Sequence, residues 1–269
     1  MGDADVVVVG AGVAGLSCAR ALHARNIRVT VLEARDRVGG RVRTVRVAGQ
    51  PVELGAQVIH GRRCSTWEPV RAAGLDVVPL NRSPAIRFVS DSNGGGQPPV
   101  PTPWEFGQLL RSSAASAEPE SSGAVADEPL GSAVTALGLA DGQSRAALEW
   151  VTQVYGGEPQ SLSRDGLLAR LPSPREIGEE YVIRDGYDAV VAALADGLDI
   201  RLSHPVSTIE WQPGSVAAVG PWGVLEADAA VITVPPTLVA TGGLGLAPAL
   251  PGKERAAERL PLCDAVAVA

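Results

Sequence analysis

A glycine-rich turn between a buried strand and a helix is the feature that most constrains how this chain folds. Four valines, Val6–Val9, lead directly into the six residues Gly10-Ala11-Gly12-Val13-Ala14-Gly15. Continuous β-branched runs are typical of strands buried on both faces of a parallel sheet. Residues 14–25 then show helical periodicity, and residues 27–32 form a second β-branched run. This order predicts a βαβ unit and an α/β fold.

The glycines of this turn have separate steric roles in binding a dinucleotide. Gly10 permits a tight turn after the strand, Gly12 lets the backbone approach a pyrophosphate, and Gly15 lets the helix pack closely on the sheet. The helix starts at Val13 and Ala14, where unpaired N–H groups offer positive potential to phosphates. The turn therefore indicates a dinucleotide site.

An acidic residue stands where the ribose of a dinucleotide needs one. Glu33 ends the second β-branched run, and a carboxylate at that place accepts hydrogen bonds from the ribose hydroxyls. The alternative interpretation is a glycine-rich turn with a solvated glutamate beside it. The two features in register favour the nucleotide site.

A second glycine pair distinguishes a flavin dinucleotide from a nicotinamide one. After Ala34, the pair Gly39-Gly40 is flanked by Arg35 and Arg41. Two glycines give a bare backbone surface against a diphosphate, and the arginines supply countercharge. A nicotinamide dehydrogenase has no need for this second clamp, so the segment favours FAD.

Charge and cysteine content exclude several classes of function. The chain has 269 residues and a net charge of −7, which argues against nucleic acid or an anionic membrane as the main partner. Its three cysteines, Cys18, Cys64 and Cys263, are far apart, and suggest neither a disulfide framework nor a zinc site. We expect no metal, no membrane segment and a cytoplasmic location.

The rest of the chain shows alternating organisation. We expect residues 1–80 and 183–240 to be two parts of one nucleotide-binding domain. Residues 81–182 are expected to form a helical substrate-domain portion in which 90–130, rich in Gly, Pro and Ser, are loops. Residues 241–269 are expected to start a substrate-domain sheet. The predicted elements are helices at 67–73, 130–154 and 189–198, and strands at 200–202, 206–209 and 229–234.

These motifs together resemble those of the flavin-containing amine oxidases, within the flavoproteins that carry the glycine pair. Residues 53–61, Glu-Leu-Gly-Ala-Gln-Val-Ile-His-Gly, match the family segment that runs past the flavin ring. Residues 183–202 and 227–235 resemble the return of the chain to the FAD domain. The resemblance covers residues 4–62 and about 145–240. It implies a Rossmann-like FAD-binding domain interrupted by a mostly helical part of a substrate domain.

The resemblance also implies further residues at the FAD site. It places the flavin ring against the backbone of Gly55, Ala56, Gln57 and Val58, and the adenine against the backbone of Val206. It brings the strand that ends at Pro235 back past the flavin.

One histidine is the candidate catalytic residue. In polyamine-oxidase-like members of the family, a histidine in the segment that contains His60 lines the catalytic tunnel. As a neutral imidazole it would accept a proton or a hydrogen bond. The alternative is a loop histidine bonded to backbone.

The function that the resemblance implies is FAD-dependent oxidation of a small-molecule amine or amino acid. Hydride passes from the C–N unit to the flavin, the imine hydrolyses, and oxygen is reduced to peroxide. Two alternatives remain open. One is a related flavoenzyme acting on a C–C bond, such as a desaturase or a protoporphyrinogen oxidase, and the other is a non-catalytic FAD-binding subunit.

The end of the chain raises a question about assembly. Residues 264–269 look like a strand cut off mid-run, and the family's C-terminal flavin-contacting motif and lysine are not found in the sequence. We therefore expect the C-terminal part of the fold to be missing. A second polypeptide, giving a heteromer, or a truncated product would each account for this.

Overall fold

The computed structural model describes residues 3–80, 103–116, 127–139, 141–170 and 179–260. The strands of this part of the chain are β1 Ala4–Val9, β2 Val29–Leu32, β3 Thr44–Val47, β4 Gln50–Glu53, β5 Ile59–His60, β6 Val77–Leu80, β7 Glu180–Ile183, β8 Asp199–Arg201, β9 Thr208–Gln212, β10 Ser215–Gly220, β11 Gly223–Ile232 and β12 Gly245–Ala247. Its helices are α1 Val13–His23, α2 Trp67–Ala72, α3 Pro103–Ser116, α4 Leu130–Ala136, α5 Asp141–Tyr155, α6 Arg164–Arg170, α7 Asp188–Ala195, α8 Pro236–Ala240 and α9 Pro251–Glu258.

A mixed sheet with a parallel centre organises the fold. Its order is β12-β9-β10-β11-β1-β2-β8, and β1 runs parallel to both β2 and β11. The β-branched side chains Val7, Val8 and Val31 are fully buried at this centre. The βαβ unit and the α/β class expected from the valine runs are confirmed. The observed helix starts at Val13 and ends at His23.

Helices α1 and α7 cover one face of the parallel strands. Leu16 and Ala19 of α1 and Val190 and Leu194 of α7 belong to one buried cluster with Val31 of β2. The small Ala19 lets the two helices approach each other closely. This packing positions the start of α1 at the end of β1, where the glycine turn lies.

The strand prediction at 229–234 was wrong in its length and in its burial. The strand begins at Gly223, in an antiparallel hairpin with β10, a strand that we did not predict. Leu225 and Ala227 are buried, whereas Ala229 and Ile232 are exposed. Pairing with β10 stops at Ala227, so among the described residues the second half of β11 has only β1 beside it. The expected strand at 206–209 begins at Thr208, which leaves Val206 in the preceding loop.

The helical region differs from the expectation at two places. Residues 103–116, which we expected to be loop, form α3, because Phe106 and Leu110 lie one turn apart and are both buried in a helical cluster. The single predicted helix over 130–154 is divided into α4 and α5, and Gly138, with φ +61°, follows α4. Some of the predictions lie outside the described residues. They are those for residues 90–102 and 117–126, for Cys263 and for the strand at 264–269.

Two smaller sheets complete the described fold. The hairpin β3-β4 is antiparallel, and β7 lies between β5 and β6 in a three-stranded sheet. In the part of the chain described here, every helix is too short or too polar to cross a bilayer. The division of the chain into domains stays a prediction.

Candidate functional site

The three glycines of the first turn occupy three different environments. Gly10 has φ +104°, and a Cβ there would lie 2.9 Å from the Thr233 hydroxyl. A Cβ at Gly15 would lie only 1.9 Å from the carbonyl oxygen of Gly10, so that helix α1 packs directly on the turn. At Gly12 no atom lies within 4 Å of the corresponding position. The turn is thus crowded at Gly10 and Gly15 and open at Gly12, as close approach of a ligand to the backbone requires.

The Glu33 carboxylate lies directly against this turn. Its Oε2 accepts a hydrogen bond from the Ala11 N–H at 2.8 Å, and its Oε1 accepts one from the Arg35 N–H at 3.0 Å. The residue is only 8% exposed. A carboxylate has about four lone-pair positions, so that both oxygens can still accept a further bond. Glu33 both fixes the turn and presents acceptors at its edge.

The second glycine pair touches the first turn. Gly39 has φ +102° and Gly40 has φ +58°, both in the left-handed region that favours glycine. The Gly39 N–H donates to the Ala11 carbonyl at 2.8 Å, and a Cβ at Gly40 would lie 3.2 Å from the Gly12 Cα. The two glycine segments, far apart in sequence, therefore form one continuous backbone surface.

An open groove of about 1840 Å³ runs over this surface. The sequence-predicted residues that line it are Gly10, Gly12, Val13, Ala14, Glu33, Ala34, Arg35, Gly39, Gly40, Arg41, Ala56, Val206 and Pro235. The predicted residues that do not line it are Gly15, Gly55, Gln57, Val58 and His60. The structure thus gathers the predicted phosphate and ribose residues into one place.

Residues 54–56 are held at the groove by backbone hydrogen bonds to the segment that follows Gly39 and Gly40, which we call the glycine loop. The Ala56 N–H donates to the Arg41 carbonyl at 3.1 Å, and a Cβ at Gly55 would lie 2.0 Å from that same oxygen. The preceding Glu53 accepts hydrogen bonds from the Thr44 hydroxyl and the Tyr187 N–H, both at 2.7 Å. Gly55 is therefore required by close packing, and Glu53 joins this segment to the start of α7.

His60 lies apart from the groove. Its side chain is 78% exposed, and its Nδ1 is 3.3 Å from Oε1 of Glu180 on the paired strand β7. Its partner is a carboxylate, not the backbone that the alternative interpretation supposed. The predicted role of His60 in the catalytic tunnel stays a prediction.

Sequence reasoning missed several residues of the groove wall. Tyr187 and Thr66 line it beside the start of α7, and burial is the main cause that raises the pKa of Tyr187 above its usual value. His204 also lines the groove, and its backbone N–H donates to the Glu33 carbonyl at 2.8 Å. Its imidazole Nδ1 is 2.6 Å from the Leu202 carbonyl, which can only accept, so Nδ1 carries a proton. The sequence signal that could have identified His204 is its position two residues before Val206, the predicted adenine contact.

Comparison with known proteins gives a family match over most of the chain. The model of the family described as flavin-containing amine oxidoreductase matches residues 13–269. Polyamine oxidase 5 of Oryza sativa subsp. japonica is 29% identical over 278 residues, which cover 92% of this chain and 54% of that protein. Nicotine dehydrogenase of Pseudomonas putida is 38% identical over 109 residues, covering 40% of this chain and 22% of that protein. The chain spans about half the length of the polyamine oxidases that it matches.

Solved structures show the same fold. The cyclohexylamine oxidase of Brevibacterium oxydans superposes with a TM-score of 0.76 at 24% identity, covering 95% of this chain and 63% of that one. Wild-type putrescine oxidase bound to putrescine gives a TM-score of 0.71 at 22% identity, covering 94% of this chain and 62% of that one. At these identities the likeness concerns the fold alone.

Proposed function

The chain belongs to the flavin-containing amine oxidoreductase family, and on that basis we propose that it serves FAD-dependent oxidation of a small-molecule amine or amino acid. The observation that carries the proposal is the contact between the two glycine segments, with the Glu33 carboxylate at their edge. A backbone surface next to a buried acid suits a diphosphate joined to a ribose.

The described residues fit the ADP half of FAD. Glu33 would accept hydrogen bonds from the ribose hydroxyls, because its oxygens keep free lone pairs beside the Ala11 and Arg35 N–H groups. The diphosphate would lie over Gly12, where a bound group meets no side chain. No side chain caps the start of α1, so its backbone N–H groups remain available to an anion.

The remaining contacts extend the proposal along the groove. The backbone of Val206 would pair with adenine, and Arg35 and Arg41 would balance the phosphate charge. Of the segment 55–58 that the resemblance assigns to the flavin ring, Ala56 lines the groove and would contact the ring, and Pro235 would lie on the strand side. FAD, when bound, supplies the hydride acceptor. His60, on strand β5 of the three-stranded sheet, would accept a proton or a hydrogen bond from the substrate nitrogen.

The names of the relatives support an amine over a C–C bond as the reacting group. Polyamine oxidase, putrescine oxidase and cyclohexylamine oxidase are all named for amines. These names favour the amine proposal over the desaturase-like and protoporphyrinogen-oxidase-like alternatives. The comparisons give no support to a second polypeptide, and the mass of the purified particle tests that hypothesis separately.

Peroxide release tests the proposed activity. The purified protein is incubated with FAD and a panel of polyamines, monoamines and amino acids, and hydrogen peroxide is measured with and without each compound. We expect peroxide with at least one amine and a matching loss of flavin absorbance under anaerobic conditions. Bound flavin that no amine reduces would contradict amine oxidation and leave the non-catalytic subunit as the better account.

A further inference from the structure

Arg37 stands out because its side chain bonds to the glycine loop itself. Its Nη1 donates to the Val38 carbonyl at 3.1 Å and to the Val42 carbonyl at 3.3 Å, and its Nη2 donates to the Gly40 carbonyl at 3.0 Å. Val38 precedes the glycine pair, Gly40 belongs to it, and Val42 follows it. One guanidinium therefore joins the entry, the middle and the exit of the loop.

The loop needs such a group for electrostatic and conformational reasons. Three carbonyl dipoles that converge on one point repel each other unless a donor lies between them, and a cationic donor forms stronger bonds than a neutral one. Gly39 and Gly40 both have positive φ, and glycine loses more backbone freedom on ordering than any other residue. The Arg37 guanidinium offsets both costs at a single site.

The position of the Gly39–Gly40 loop determines the shape of the backbone surface that lines the groove. A Cβ at Gly40 would lie 3.2 Å from the Gly12 Cα, and the Gly39 N–H bonds to the Ala11 carbonyl. A small displacement of the loop would therefore close or misplace the open backbone over Gly12. Arg35 and Arg41, by contrast, are exposed and line the groove directly.

We propose that Arg37 is a positioning residue of the nucleotide site, which holds the Gly39–Gly40 loop against the Gly12 turn. Countercharge to the phosphates is left to Arg35 and Arg41. The inference rests on the proposed function only in taking FAD as the nucleotide. It separates the arginines of one short segment into two roles, geometric and electrostatic, that the sequence alone does not distinguish.

Exchange of arginine for lysine separates these roles. Lysine keeps the charge, but its single ammonium cannot replace a planar fork that reaches three carbonyls. We expect Arg37→Lys to weaken FAD binding as much as Arg37→Gln, by about tenfold or more. Arg41→Lys should stay within about threefold of the parent, while Arg41→Gln should bind less tightly and show a weaker dependence on salt. Arg255→Lys, on the exposed face of α9, is the matched control.

The measurement is the dissociation constant of the full chain for FAD and for ADP, at low and at high ionic strength. Hydrogen exchange of the amides of residues 38–43 is followed in the same variants without nucleotide, with the amides of β1 and β2 as the internal reference. We expect Arg37→Lys to exchange faster in the loop alone and to retain the salt dependence of the parent.

Several results would overturn the proposal. They are an Arg37→Lys variant that binds FAD like the parent, an unchanged loop exchange, and a loss of protection that extends to β1 and β2, which would make Arg37 a general folding residue. A parent chain that binds FAD and releases no peroxide would overturn the proposed function alone. A parent chain that binds neither FAD nor ADP would overturn both.

Discussion

Gly12 and Gly15 lie three residues apart in one turn, yet the structure requires them for different reasons. A Cβ at Gly15 meets the Gly10 carbonyl oxygen at 1.9 Å, whereas a Cβ at Gly12 meets nothing within 4 Å. Gly12 also has φ −74°, which any residue adopts. Stability therefore depends on Gly15, and room for a ligand depends on Gly12.

Alanine at each position should separate these effects. We expect Gly15→Ala to lower the free energy of unfolding by about 1–3 kcal/mol or more, because backbone must move to make room. Gly12→Ala should change it by less than about 0.5 kcal/mol, and should weaken FAD binding because the methyl group fills the place of the diphosphate. Denaturant unfolding and FAD titration measure the two. If the Gly12→Ala chain binds FAD like the parent, that result would contradict the proposed position of the diphosphate over this turn.

Glu33 offers a second test at the level of one residue. In Glu33→Gln, an NH₂ group replaces one oxygen and faces the N–H of Ala11 or of Arg35, so that a buried donor loses its acceptor. We expect a loss of about 1–3 kcal/mol in the free energy of unfolding, together with weaker FAD binding. Glu226→Gln, on an exposed position of β11, is the control and should change neither quantity. Equal FAD affinity in Glu33→Gln and the control would contradict the ribose assignment.

The sequence predicts the residues whose role is local and steric. The glycines and Glu33 could be assigned because a turn, a close approach and an acid after a strand have fixed spacings along the chain. The direction of the Arg37 side chain could not be predicted from the sequence. The carbonyls of Val38, Gly40 and Val42 converge on its guanidinium only when the loop is folded.

At the scale of elements, Arg20 joins α1 to the end of α7. Its guanidinium donates to the carbonyls of Ala193 and Leu194 at 3.0 Å and also to that of Asp196. The last turn of α7 has no basic residue of its own, so that Arg20 caps it from the neighbouring helix. The helix that carries the nucleotide turn is thereby fixed to the helix behind the glycine loop.

Removal of this cap should cost stability. We expect Arg20→Met to lower the free energy of unfolding by about 1–3 kcal/mol, since carbonyls at the end of α7 lose a charged donor. Arg145→Met, at an exposed position of α5, should stay within about 0.5 kcal/mol of the parent. Urea unfolding followed by circular dichroism makes the comparison, and equal midpoints for the two variants would show that the cap is dispensable.

The Asp5–Arg28 pair predicts a dependence of stability on pH. Hydrogen bonds from the Arg28 side chain, and then from its backbone N–H, lower the pKa of Asp5 below its usual value of 3.8. Because the pKa of Asp5 is lower in the folded state than in the unfolded state, the full contribution of the pair to stability is present above the usual value of 3.8. That contribution is lost as the pH falls through the folded pKa. The difference in unfolding midpoint between the parent and Asp5→Asn should therefore shrink as the pH is lowered from neutral to below 3.8. A difference that does not vary with pH would contradict the pairing.

Strands could be predicted from the sequence where β-branched residues follow one another without interruption. They were ambiguous where pairing with a neighbouring strand determines the structure. The valine runs identified β1 and β2, but β10 was missed although Val216 and Ala218 alternate inward on it. The signal was present at Gly214, which has φ +78° in the two-residue turn between β9 and β10. Helix α3 was missed because composition was weighed above the spacing of Phe106 and Leu110.

The fold brings together distant segments of the chain in one groove, which we propose recognises the ADP half of a dinucleotide. Glu33, His204, Val206 and Ala56 all line the groove, and the His204 N–H donates to the Glu33 carbonyl. The family match supports the flavin, and the diphosphate and ribose positions are our proposal from the geometry of the described residues. Neither depends on which amine is oxidised.

Comparison of FAD with FMN separates recognition of the ADP half from recognition of the ring, because FMN carries the same ring but lacks the adenosine monophosphate part. The dissociation constants of the full chain for FAD, FMN and ADP are measured by titration under one set of conditions. We expect FAD to bind tightly, ADP to compete with it, and FMN to bind at least about a hundredfold more weakly, since about 3 kcal/mol of contacts is lost with the adenylate. FMN that binds as tightly as FAD, or FAD that ADP does not displace, would contradict the proposed recognition of the ADP half.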